Sequence, residues 1–157
     1  MQKVNIEPFK IIGISIRTTN QNQQANKDIG ELWTRFIDEK ILTKIPNKIS
    51  DEIFSLYTDY VSDHTKPYTT ILGCKVKNLH TIPNGMVGTS FEGGNYIKTK
   101  AKGDITKGLI LHHWSKIFEM DLNRNYIADF EIYGEKAQNS SDAEVDFYVG
   151  IKNDANE

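Results

Sequence analysis

Residues 10–17 carry Ile11, Ile12, Ile14 and Ile16 in a short, partly alternating run, a β-branched pattern that predicts a strand. An Asn/Gln-rich connection follows over residues 18–27. Asp28, with Glu31 three residues on, has the form of a capping box. Ile29, Leu32, Trp33, Phe36, Ile37 and Ile41 then recur at helical spacing, and Pro46 closes the helix. Residues 52–60 and 68–77 read as two strands of a hairpin joined by a polar loop at 61–66.

The second half runs through the same plan. Residues 96–101 predict a strand, and Gly103-Asp104 opens a helix whose apolar set is Ile105, Leu109, Ile110, Trp114, Ile117 and Phe118. A turn at Asn123-Arg124-Asn125 leads into strands at 126–134 and 144–152, joined by a polar loop at 135–142. Residues 78–94 link the halves, with room for one extra short strand. Landmarks recur in order about half a chain apart: Trp33 with Trp114, Tyr57-Thr58-Asp59-Tyr60 with Phe130-Glu131-Ile132-Tyr133, and Gly73-Cys74-Lys75 with Gly150-Ile151-Lys152. The pattern predicts an α+β fold: a duplicated β-α-β-β unit, with pseudo-repeats at about 4–77 and 86–152. The two units form one antiparallel sheet of about eight strands, with two helices on one face and a central ligand cleft.

Composition narrows the function. The 157 residues make one domain, 1–157. Lys+Arg total 19 against 21 Asp+Glu, so no basic surplus points to direct nucleic-acid binding. No apolar run is long enough for a membrane helix, and the first nine residues lack the form of a signal peptide. Cys74 is the single cysteine, which suits a reducing, cytoplasmic setting, and its strand context makes it a core residue rather than a nucleophile. Phosphate-cradling glycine loops and a nucleophile elbow do not occur in the sequence. His112 and His113 are adjacent on a predicted helix and point about 100° apart, so they do not ligate one metal from one face. No cofactor and no metal are expected.

Strand alternation supplies the candidate site. In residues 126–133 the even positions, Tyr126, Ala128, Phe130 and Ile132, are expected to pack on the helices. Asp129, Glu131 and Tyr133 then face the other way. In the last strand Val145, Phe147, Val149 and Ile151 are assigned to the helices, which sends Tyr148 to the face of Glu131. The repeat places Tyr60 there too, and Tyr96 joins by alternation in its own strand. The plain reading is one wet sheet face. The sharper one is a carboxylate ringed by tyrosines, which suits an amphiphilic cation because aromatic faces attract positive charge.

Together these features resemble the GyrI-like small-molecule-binding domains, also called bacterial transcription-activator effector-binding domains. The resemblance rests on the duplication, the helix tryptophan, Gly94-Asn95-Tyr96 opening a strand, and Phe130-Glu131-Ile132-Tyr133 near the C-terminus. It spans about residues 4–152. Such domains occur alone or fused to AraC-type or MerR-type DNA-binding domains, and stand-alone members encoded on integron cassettes are associated with cationic drugs. The resemblance carries Glu131, Tyr133, Trp33 and Trp114 into a ligand site that alternation and the repeat complete with Tyr60, Tyr148 and Tyr96, and it implies a hydrophobic cationic small molecule as partner. It leaves open a homodimer, or a separate DNA-binding chain through which transcription is regulated, since the sensor fold uses the whole sequence. Two further readings remain: hydrolysis of strained cyclopropane-containing toxins by the same Glu131, and a gyrase-inhibitor-like interaction role. The residues favour binding over turnover.

Overall fold

The computed structural model describes residues 1–153. Eight strands form one antiparallel sheet: β1 (Gln2–Ile6), β2 (Phe9–Thr18), β3 (Ile53–Thr58), β4 (Tyr68–Val76), β5 (Val87–Phe91), β6 (Gly94–Gly103), β7 (Ala128–Tyr133) and β8 (Ala143–Gly150). The helices are α1 (Gln24–Asp38), a single turn α2 (Ile41–Lys44), and α3 (Leu109–Phe118). The fold is α+β, as expected, with strand order β1-β6-β8-β7-β3-β4-β2-β5. Among the described residues no helix is long and apolar enough to cross a membrane.

That order forces curvature. β1 is an edge strand, and β2 lies six places away near the other edge. Six strand spacings would span about 29 Å in a flat sheet. Only residues 7 and 8 join the two strands, and three Cα steps reach at most about 11 Å. β5 and β6 impose the same limit, with residues 92–93 between them. The sheet therefore curls until its ends converge. A Cβ on Gly93 would meet the Ile6 carbonyl oxygen at 2.1 Å.

The curl creates two buried faces. Inside it, Phe130 meets Phe9 from one end of the sheet at 5.5 Å and Tyr96 from the other at 5.4 Å, and Tyr148 stacks on it at 4.9 Å. Ile11, Phe54, Leu56 and Ile71 complete this cluster. Outside, α1 and α2 cover β2 and β4 through Leu32, Phe36, Ile41, Ile12, Leu72 and Cys74. α3 covers β8 through Trp114, Ile117, Val145, Phe147 and Val149.

Register corrects the facing predicted for β7. Glu131 pairs with Ser55 and Phe147, and Ser55 pairs with Leu72. Directly paired residues share a face, so Glu131 lies with Phe147 and Leu72 on the helix side. Ala128, Phe130 and Ile132 face into the curl instead. The expectation took the more apolar set as the helix-facing one, but here the concave face is also a core. Tyr148 and Tyr96 go with Phe130 and leave the face of Glu131.

Local corrections follow from backbone geometry. α1 starts at Gln24, after Asn22 and Gln23 adopt left-handed φ of 55° and 58°. Asp28 therefore lies inside the helix, where it accepts hydrogen bonds from Thr18 Oγ1 at 2.8 Å and Gln24 Nε2 at 3.1 Å rather than capping. Lys40, at φ 54°, separates Ile41 into α2. Asp104 accepts from the Thr106 amide in the turn before α3, which itself starts at Leu109 after Gly108 at φ 79°. Strand β1 was not anticipated, because Val4 and Ile6 are the only alternating apolar pair in its five residues, too short a run to mark a strand; β5 lies in the link where a short strand had room.

The steepest crowding falls where Gly13 pairs with Gly73. A Cβ on Gly13 would sit 2.0 Å from the Leu72 carbonyl oxygen, and one on Gly73 would sit 2.2 Å from that of Ile12. Both obstacles are backbone, so neither rotates away. Gly13→Ala is expected to cost at least the roughly 1–3 kcal/mol of overpacking. Chemical denaturation would show this as a lower midpoint at unchanged slope. Wild-type stability in Gly13→Ala would contradict the close strand approach.

Candidate functional site

The two helix-side cores leave a gap. α1 covers β2 and β4, α3 covers β6 and β8, and the helix-side positions of the central strands β3 and β7 lie between them. Ser55, Tyr57, Asp129, Glu131 and Tyr133 occupy those positions. Above them is a cavity of about 1420 Å³.

Glu131 is fully buried on its floor, 1% exposed. Its Oε1 accepts hydrogen bonds from the Tyr57 hydroxyl at 2.7 Å and the Tyr133 hydroxyl at 3.0 Å. Its Oε2 accepts from Trp114 Nε1 at 2.8 Å. Ser55 Oγ donates to the Tyr57 oxygen at 2.9 Å, which turns the tyrosine's own proton toward Glu131. Burial pushes the carboxyl up to about 7, while the bonds from Tyr57, Trp114 and Tyr133 pull it down. Burial, followed by the charge of Glu131, raises Tyr57 and Tyr133 well above the ordinary tyrosine value, so both remain donors.

Aromatic rings stand edge to face around this centre. Tyr57 packs against Trp114 at 5.5 Å and Tyr68 at 5.9 Å, and Trp33 packs against Tyr133 at 5.0 Å. The rim stays apolar in water: Ile37 on α1 is 65% exposed and Leu111 on α3 is 54% exposed, and both line the cavity. Toward one end lie Glu52 and Glu135; toward the other lie Tyr60, His64 and Arg124. There the fully buried Asp129 accepts from the Tyr60 hydroxyl at 2.6 Å, Arg124 Nη2 at 2.7 Å and the Gly150 amide at 2.8 Å.

Of the residues named from sequence, Glu131, Tyr133, Tyr60, Trp33 and Trp114 line the cavity. Tyr96 and Tyr148 do not: both belong to the cluster inside the curl. Tyr57, Tyr68 and Arg124 also line the cavity and were missed; Asp129, placed by alternation on the face of Glu131, was not named as a site residue. Register was the available signal for Tyr57, since its pairing with Asp129 places it one step from Glu131 on the same face. Arg124 comes from a turn and lay outside any alternation. Cys74 is buried in the core, and burial raises its thiol to about 12, so it stays protonated. Among the described residues no three His, Cys, Asp or Glu side chains group to hold a metal ion.

Solved structures share this architecture. An integron cassette protein from Vibrio cholerae superposes with a TM-score of 0.73 at 24% identity, covering 96% of this chain and 95% of that one. A putative transcription regulation protein from Staphylococcus aureus MU50 gives a TM-score of 0.72 at 16% identity, covering 97% of each chain. SAV2435, solved bound to tetraphenylphosphonium, gives a TM-score of 0.73 at 17% identity, covering 96% and 93%. No curated protein sequence matches the chain. The family of integron-associated effector-binding proteins matches residues 4–151, nearly the whole chain, and the protein belongs to that family.

Proposed function

We propose that the protein binds an apolar, cationic small molecule in the cavity, with Glu131 as the charge partner and the surrounding rings as the wall. The observation that carries this reading is a fully buried carboxylate, held by three donors, on the floor of an aromatic-walled cavity. Burying a charge is costly unless it is compensated. The three donors offset part of the cost, and a cation in the cavity would offset more. The ring faces of Trp33, Tyr57 and Trp114 would add roughly 0.5–2 kcal/mol each where a desolvated cation reaches them. The phosphonium complex of SAV2435, an apolar cation on the same fold, supports the reading.

The charge contribution is tested by Glu131→Gln, which keeps shape and removes charge. Binding of tetraphenylphosphonium is expected to weaken by about 2–5 kcal/mol, while a neutral tetraphenyl isostere changes little. Isothermal titration of both compounds against both proteins decides. Equal losses for the two would remove charge from the explanation.

The pH dependence has a definite sign. In the ligand-free fold Glu131 titrates near 7, above the ordinary 4.5, so the folded state holds a proton that the unfolded chain releases. Glu131 therefore lowers stability as pH rises from about 4.5 to about 7, by up to about 3 kcal/mol, with no further loss above 7. Affinity for a permanent cation should rise over pH 5–7 and level off above it, because only the ionised carboxylate pairs with the ligand. Glu131→Gln should flatten both curves. Thermal unfolding and titrations at half-unit pH steps would show this, and a wild-type affinity flat from pH 5 to 8 would count against the pairing.

A further inference from the structure

Arg124 has donors that the Glu131 site does not use. Its side chain is 6% exposed. One terminal nitrogen, Nη2, is spent on Asp129 at 2.7 Å, but Nε and Nη1 have no hydrogen-bond partner. The guanidinium carbon lies 4.4 Å from the centre of the Tyr126 ring and 5.9 Å from that of Phe118. These ring contacts restrain the group without satisfying its in-plane N–H groups. His64 has a similar unmet need: its ring stacks on Phe118 at 4.1 Å and 8°, and its Nδ1, which donates in the tautomer protonated there, has no partner. Both residues line the main cavity and also a smaller pocket of about 280 Å³ that Asp121, Asn123 and Tyr126 help to wall. Buried donors without acceptors are rare in folded proteins, and each calls for a partner.

We infer that Arg124 and His64 form a second subsite, at the end of the cavity where Tyr60 and Asp129 lie, which takes an uncharged acceptor oxygen of the ligand, such as the carbonyl of a ketone, ester or amide. This rests on the reading of the cavity as a cation site and extends it: the ligand carries a positive group for Glu131 and, at its other end, a carbonyl. The acceptor is neutral because Asp129 already balances the charge of Arg124; the subsite offers direction rather than net charge. Burial, with Arg124 beside it, holds His64 below the ordinary histidine value, so it adds no charge either. Tyr60 ties this subsite to the rest of the wall through its bond to Asp129 and its packing on Tyr68 at 5.7 Å.

The test uses two probes: a phenylbutyl trimethylammonium cation, and the ketone made by replacing its benzylic methylene with a carbonyl. Wild-type protein is expected to bind the ketone about tenfold more tightly, as a hydrogen bond from a charged donor would give. Arg124→Met combined with Asp129→Asn removes the donors without leaving a lone buried charge, and should bring the ratio of the two affinities close to one. If that pair of substitutions impairs folding, His64→Phe keeps the stack on Phe118 and should still lower the ratio. Equal binding of the probes by wild type, or a ratio unchanged in the variants, would overturn the subsite while leaving the cation site standing. Failure of both probes to bind wild type would overturn the cation site and the subsite with it. A matching carboxylate bound more than about tenfold better than the ketone would overturn the neutral-acceptor assignment.

Discussion

The burial of Glu131 at the centre of the sheet is the constraint around which the helix side is arranged. A carboxylate removed from water needs donors, and each donor here comes from a different place. Tyr57 reaches it from the neighbouring strand β3, Tyr133 from its own strand two residues on, and Trp114 from α3. The Trp114 bond ties α3, packed over β6 and β8, to β7; the other two orient the Tyr57 and Tyr133 rings, and Ser55 is committed to the Tyr57 hydroxyl. An apolar residue at position 131 would need none of this. A buried carboxylate is weak evidence for stability, so the arrangement is consistent with the proposed ligand role of Glu131.

The site could stand at the sheet centre only because the sheet curls. The short links between β1 and β2 and between β5 and β6 draw the two ends together, and the aromatic cluster of Phe9, Phe54, Phe130 and Tyr96 fills the inside. That cluster supplies a core that does not involve the helices over the central strands. α1 and α3 are thus free to pack on the outer strands and stay apart in the middle. The cavity is the space between two helices that have each found their own core.

Much of this was legible in the chain. Helical spacing found the apolar stripes of α1 and α3, including both tryptophans, and alternation with turn residues found six of the strands. Glu131 stood out as a carboxylate among rings. Facing was the part that could not be read. Rules that send apolar residues to the helices work when only one face of a sheet is dry. Here Phe130 is buried and Ile132 and Tyr148 are half-buried inside the curl, so both faces of β7 and β8 present large side chains and polarity does not separate them. Curvature depends on which strands are neighbours, and that pairing is not local in sequence. The same limit hid Tyr57, whose role follows from its partner in β7, and Arg124, which enters the wall from a turn.

The two ends of the cavity differ in a way that the matching halves of the chain do not predict. Near-symmetric strand order would allow the same wall on both sides of β3 and β7. Instead one end has the Arg124–Asp129 pair with Tyr60 and His64, and the other has Glu52 and Glu135 without a buried cation. Glu131 itself occurs once, opposite Ser55 in the other half. The wall of such a cavity has the single carboxylate of Glu131 between one end rich in donors and one end rich in acceptors. A symmetric binder would gain nothing from that difference. An asymmetric wall of this kind distinguishes the two ends of an elongated molecule, which is one physical route by which a roomy, largely apolar cavity discriminates among molecules of similar size.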